Sequence, residues 1–354
     1  MKLKRDIVGL VVIAIIGLVV MFGAPHVLQL FTIINLTTAI GLALLALSLG
    51  LVWGYGGILC FGQTAFFGMG AYAYAICAQN FGQTSGAVII AIGAGATFAA
   101  MLGYFMFFGR ISEVYLGVIT LTVTLILFNL LRRTSGPEYK IGSALLGGFN
   151  GTNAPPLQVP WDAQLMLFPQ QLFYVSMGAL LLCYFGCVWL IRSQFGQVCV
   201  AIRENEVRAE LLGYDARLYK LGLFSIGGGI AAVGGVLVAN GIGRVTPDLF
   251  NLTYAAQAII WVIVGGRGTL LGPVLGAFGV FWLTSWLGTQ SYFNSNMVLG
   301  LVLILFVLLL PRGLVPAIGS IAKVSQQRTV SRRDRMRSRR RVARFETSGA
   351  TDAT

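Results

Sequence analysis

Side chains able to do chemistry are scarce in this chain, and their spacing excludes most of what they could do. One histidine, His26, occurs in 354 residues. A single imidazole cannot build a zinc site or an HExxH motif. Cys60, Cys77, Cys183, Cys187 and Cys199 show no Cys-x-x-Cys spacing. Cys183 and Cys187 lie one turn apart in an apolar run, where thiols act as small hydrophobes. None of the five lysines stands in a phosphate-cradling GxxxxGK[ST] loop. The twelve carboxylates fall in loops, at helix ends or near the termini. A proton relay needs acids inside membrane spans, where each costs about 2.5–3.5 kcal/mol to insert. No catalytic residue, metal or cofactor is therefore expected, and the energy for uphill movement of a solute must come from another chain.

The apolar runs do contain neutral hydrogen-bonding groups. Gln63, Thr64, Thr120, Thr124, Asn129 and Gln257 are the candidates for a path taken by a small neutral or zwitterionic solute. Thr120 and Thr124 share one helix face. The competing role is structural: such groups also join helices in lipid, or bond to their own backbone.

The elements that must hold these residues follow from composition. Hydrophobic residues make up 56% of the chain and charged residues 10%, with mean hydropathy +0.81. A soluble domain carries about 25% charged residues. Runs long enough for helices in hydrocarbon occur near 7–24, 30–52, 58–79, 86–109, 114–131, 171–191, 221–240, 252–266, 269–288 and 296–311. The fold expected is an all-α polytopic bundle of about ten transmembrane helices. The eighth run is short, ends at Gly265-Gly266-Arg267-Gly268, and is expected to be tilted, broken or half-length.

Lys and Arg favour the cytoplasmic side. With both termini cytoplasmic, 21 of the 25 basic residues fall inside, leaving only Arg132, Arg133, Lys140 and Arg244 outside. The first helix starts basic, but Gly23-Ala24-Pro25-His26 is a poor cleavage site, so it is expected to remain. Residues 1–311 then form the membrane domain, with an external loop at 132–170 and a cytoplasmic loop at 192–220. Residues 312–354 form a basic cytoplasmic tail. Nine arginines between 328 and 344, without apolar periodicity, mark it as disordered and suited to anionic lipid. No aromatics interleave with these arginines, and nucleic acid is not expected.

The 46 glycines include Gly50/Gly54 and Gly268/Gly272/Gly276 at four-residue spacing, and the run Gly227-Gly228-Gly229 with Gly234-Gly235. Close helix packing and hinging are both open to them. In the 192–220 loop, the pattern from Glu204 to Leu212 predicts a short helix. Glu206 and Glu210 are one turn apart, Val207 and Leu211 form an apolar pair, and Gly213 is a stop. A short amphipathic helix fixed between two spans suits docking into a partner's groove.

Four segments resemble the permeases of ABC importers in the branched-chain amino-acid and urea/amide group. They are Gly196-Gln-Val-Cys-Val-Ala-Ile-Arg-Glu-Asn-Glu-Val-Arg-Ala-Glu-Leu-Leu-Gly213, Gly54 to Tyr72, Val114 to Thr122, and Gly265 to Ala277. The likeness runs from about residue 30 to 315. It implies an inner-membrane permease working with two ATP-binding subunits, a second homologous permease and an external solute-binding protein. It further implies that Arg203, Glu204, Glu206, Arg208, Ala209, Glu210 and Gly213 form the ATPase-coupling loop. The usual Glu-Ala-Ala pattern is interrupted by Val207-Arg208-Ala209, and the usual Ser-Leu-Gly-His reads Cys60-Phe61-Gly62-Gln63. A small amino acid, branched-chain above all, is the implied solute. Urea or a short amide is the alternative, supported by Leu146-Gly-Gly-Phe-Asn-Gly151. A self-sufficient channel would also be served by charge-free spans.

Overall fold

The computed structural model describes residues 2–159, 162–288 and 300–301. Long apolar runs satisfy every backbone polar group internally only as helices, and eleven form among the described residues. They are α1 (Lys2–Val27), α2 (Leu30–Gly56), α3 (Gln63–Phe81), α4 (Thr84–Phe108), α5 (Glu113–Arg133), α6 (Pro169–Arg192), α7 (Gln194–Glu204), α8 (Glu206–Leu211), α9 (Ala216–Ile242), α10 (Leu252–Gly265) and α11 (Leu271–Gly288). Six of them (α1, α2, α4, α5, α6 and α9) are long and apolar enough to cross a membrane. Helices α10 and α11 are apolar but shorter. The first nine expected runs each coincide with a helix. The tenth (296–311, apart from 300–301) and the basic tail lie outside the described residues.

The centre is α9, packed on α2, α3 and α4. Its glycines are contact points. Gly235 faces the Phe67 carbonyl and Gly234 the Gly41 carbonyl so closely that a Cβ on either would overlap backbone, and a Cβ on Gly70 would come within 2.5 Å of the Ala232 Cα. Helix α9 stays continuous through Gly227-Gly228-Gly229, so these glycines serve close approach. Gly272 and Gly276 likewise meet the carbonyls of Gly265 and Trp261 and close the α10–α11 hairpin, whereas Gly268 faces open space.

Helix α9 is 27 residues long, about 40 Å at ~1.5 Å per residue, and separates two differently built ends. At one end six short strands pair antiparallel: β1 (Lys140–Ile141) with β2 (Ala144–Leu145), β3 (Thr152–Asn153) with β6 (Arg244–Val245), and β4 (Gln158–Val159) with β5 (Asp162–Met166). Polar side chains at the helix tips hold this strand end down. The Asn80 Oδ1 accepts from the Ser143 N–H at 2.7 Å, the Gln79 Nε2 donates to the Asn153 carbonyl at 2.6 Å, and the Tyr74 Oη donates to the Pro155 carbonyl at 2.7 Å. Asn240, near the end of α9, accepts from the Leu157 N–H at 2.9 Å. At the other end α7 and α8 form an elbow.

Candidate functional site

The expected coupling loop is an elbow of two helices. The pattern predicted one helix from Glu204 to Leu212; instead α7 runs to Glu204, Asn205 turns out at φ −160° and ψ 101°, and α8 starts at Glu206. Arg203 and Glu204 therefore close α7 and do not belong to the short helix. The reason is capping: the Asn205 side chain accepts from the Arg208 N–H at 2.9 Å, satisfying an orphan donor of a new helix. Gly213, at φ +90°, adopts the left-handed turn that stops α8. Asp215 then caps α9 by accepting from the Arg217 N–H at 3.1 Å.

Helix α8 is fastened on one side and open on the other. Ala209 is buried with Ile202 of α7 and Ala216 of α9. Lys220 of α9 donates to the Glu206 carboxylate at 2.7 Å. The opposite side presents Val207, Leu211 and Leu212, which are 66%, 83% and 78% exposed. Arg208 and Glu210 are exposed beside them. Beneath the elbow, Phe195 stacks on Tyr219 with ring centroids 5.3 Å apart. Burial of Cys199 in this layer pushes its thiol up to about 12, which leaves it neutral and inert.

Arg203 ties the elbow to a break in the bundle: its guanidinium donates to the Gly54 carbonyl near the end of α2 and pairs with Glu204. Helix α2 ends in a left-handed cap at Gly57, φ +74°, and residues 57–62 cross without helix before α3 begins. The expected span 58–79 therefore becomes a helix only from Gln63. The chain squeezes past α5 here, since a Cβ on Gly62 would overlap the Thr120 carbonyl and sit 2.8 Å from the Thr124 Oγ1.

The six candidate path residues divide in this frame. Gln63 and Thr64 are buried at the start of α3, and the Gln63 Nε2 donates to the Ser48 Oγ at 3.1 Å. The Gln63 Oε1 and the Thr64 Oγ1 have no protein partner. Thr120 and Thr124 are buried but bond back to the carbonyls of Gly117 and Thr120, at 2.9 and 2.8 Å. Asn129 is exposed on α5 and donates to the Leu125 carbonyl at 2.8 Å. Gln257 is half-buried on α10.

Sequence reasoning missed two groups. The Tyr72 Oη and the Trp261 Nε1 are buried without a protein partner, on the neighbouring helices α3 and α10. A buried polar group left unsatisfied costs about 1–3 kcal/mol. Neither residue broke an apolar run, so pattern alone gave no signal. Asn240, an amide near the end of an otherwise apolar helix, was visible but overlooked. Among the described residues, no group of three or more His, Cys, Asp or Glu could hold a metal.

A mainly helical, multi-pass bundle with an exposed two-helix elbow at one end and a broken helix beside it is the architecture of a membrane transport subunit. The chain matches the family described as the branched-chain amino acid transport system / permease component over residues 31–310 and belongs to it. It is 26% identical over 332 residues to the high-affinity branched-chain amino acid transport system permease protein LivM of Escherichia coli K12, covering 89% of this chain and 75% of that one. The LivM protein of Salmonella typhimurium is 26% identical over 289 residues, covering 77% of this chain and 67% of that one. A shorter likeness, 29% over 126 residues, joins it to the autoinducer 2 import system permease protein LsrC of Salmonella typhi, covering 33% of this chain and 36% of that one. No solved structure matches. The protein is an ABC transporter permease of the inner membrane.

Proposed function

We propose that this chain is the permease of a binding-protein-dependent importer that carries a branched-chain amino acid into the cytoplasm, driven by ATP hydrolysis on two separate subunits. The observation that carries the reading is the open face of α8. Three large apolar side chains stand in water on a helix bolted to the bundle through Ala209 and Lys220. An isolated permease has no use for such a surface; a groove on an ATPase does. Motion imposed on α8 would pass to α9 through the Ala209 cluster and to the end of α2 through Arg203, on either side of the 57–62 break.

The same reading puts the elbow in the cytoplasm. Arg110, Arg192, Arg203, Arg208, Arg217, Lys220 and Arg267 belong to the loops and helix tips of that end, and Arg132, Arg133, Lys140 and Arg244 to the strand end, a distribution that favours this orientation. Ten spans with both termini inside complete the topology, and the strand end receives the external solute-binding protein. A second homologous permease closes the path along Gln63 and Thr64, with Thr120, Thr124, Asn129 and Gln257 at its edges. The tail 312–354 rests on anionic lipid.

The test is uptake by the assembled importer in proteoliposomes. Arg208→Glu or Glu206→Arg lowers uptake at least tenfold while the chain still inserts and ATP is still hydrolysed. Unchanged uptake in both variants contradicts the docking role. Solute flux through the chain alone without ATP would make it a channel, and uptake of urea but not of leucine would replace the solute.

A further inference from the structure

After β6 the chain does not leave the strand end but turns back among the helices as a 3-10 turn, Pro247–Phe250. This turn packs on α3, α5 and α10. Its Phe250 ring lies against Gly68, where a Cβ would fall 2.6 Å or less from several ring atoms, and 5.9 Å from the Tyr72 ring. Gly68 lies 13 residues before the end of α3, roughly 20 Å along the helix at ~1.5 Å per residue. Pro247, Leu249 and Phe250 are buried, but Asp248 between them is exposed.

Among the described residues, Asp248 is the one carboxylate on a segment that re-enters the bundle, and no hydrogen bond or ion pair holds its side chain. Two residues on, the Phe250 ring lies 5.9 Å from the Tyr72 ring, which sets the turn that carries Asp248 beside Tyr72. The Tyr72 Oη is buried, on a residue 3% exposed, and has no protein partner. Hydrocarbon would penalise the charge of an exposed carboxylate on such a turn, and a water-filled route would not. Irregular backbone at that depth likewise occurs where it lines a cavity.

We propose that Asp248 and the Tyr72 hydroxyl form an outer selectivity site on the translocation route, which receives the α-ammonium group of the amino-acid solute. The carboxylate accepts from the ammonium as a charge-assisted hydrogen bond, and the tyrosine oxygen accepts a further ammonium hydrogen. The site precedes the neutral Gln63–Thr64 break, so the solute meets its counter-charge first and uncharged groups next. Gly151, pressed on the backbone of Val245 and Thr246, and the β3–β6 pair hold the turn in place. This inference rests on the amino-acid reading above.

The experiment uses the complete importer in proteoliposomes with leucine-loaded binding protein, and measures leucine uptake and ATP hydrolysis together. Asp248→Asn is expected to lower uptake at least tenfold while ATP hydrolysis stays within twofold, and Asp248→Glu to restore more than half. Normal leucine uptake by Asp248→Asn overturns the site but leaves the amino-acid reading intact. Failure of the wild-type importer to take up leucine overturns both. If Asp248→Asn does not assemble, Tyr72→Phe decides: reduced uptake with hydrolysis preserved supports the site, and wild-type uptake overturns it.

Discussion

The centre of the bundle and the elbow beneath it solve opposite problems with the same short list of residue types. Around α9, glycine removes side chains so that backbones touch, as at Gly234, Gly235 and Gly70. At the elbow, alanine at 209 and 216 fastens one side of α8, and its other side keeps large apolar residues in water. The first arrangement makes a stiff body; on the proposed reading the second makes a handle on it. The difference teaches that force can enter at a small exposed surface only if the element behind it does not yield. On the proposed reading, a continuous α9 in close backbone contact with its neighbours is what keeps a push on α8 from being absorbed locally.

The strongest way to break this comparison is to put bulk in the centre. Gly235→Val forces a branched side chain onto the Phe67 carbonyl, and overpacking against backbone costs roughly 1–3 kcal/mol or more. Folded yield in detergent should collapse, whereas Gly93→Ala, facing open space, should leave the thermal midpoint unchanged or slightly raised. Equal effects of the two would deny that the glycines are packing contacts.

The elbow should behave in the reverse manner. Leu211→Asp changes a residue 83% exposed, so the isolated chain should keep its stability within about 0.5 kcal/mol. Binding of the ATP-binding subunit should weaken at least tenfold, measured by co-purification across a concentration series. Arg203→Ala comes next. Losing the bond to the Gly54 carbonyl should lower uptake severalfold while ATP hydrolysis continues, because only one of two links from elbow to bundle is cut. Glu206→Gln is smaller still. Its partner Lys220 is 15% exposed and Glu206 itself 44%, and a pair this wet contributes about 0.2–1 kcal/mol. The least effect concerns Cys199. With its thiol pushed up to about 12, maleimide labelling of native protein should stay negligible between pH 7 and 8, where a free thiol near pKa ~8.5 gains severalfold in reactivity.

Much of this was legible in the sequence. Apolar length located nine helices because backbone satisfaction in lipid leaves no other choice, and the shortness of the eighth run matches the 14 residues of α10. The elbow was legible as a short helix between two spans, but its division at Asn205 was not. Asn reads as a weak helix residue in a pattern and becomes a cap only when Arg208 offers its N–H. The path was less legible. Thr120 and Thr124 carry the right groups, yet in a helix their hydroxyls reach their own backbone. Residues 58–62 were read as helix because Ile58, Leu59, Cys60 and Phe61 are apolar, and the left-handed Gly57 just before them left no mark on that pattern. Tyr72 and the turn that carries Asp248 meet through Phe250, a course no local periodicity records.

The central claim is that α8 is where the motor attaches, and photo-crosslinking tests it most directly. A benzophenone amino acid at Leu211 in the assembled importer should join this chain to an ATP-binding subunit on illumination, while the same probe at Phe149 on the strand end should not. Crosslinking from position 211 to the external solute-binding protein, or to lipid alone, would contradict the account.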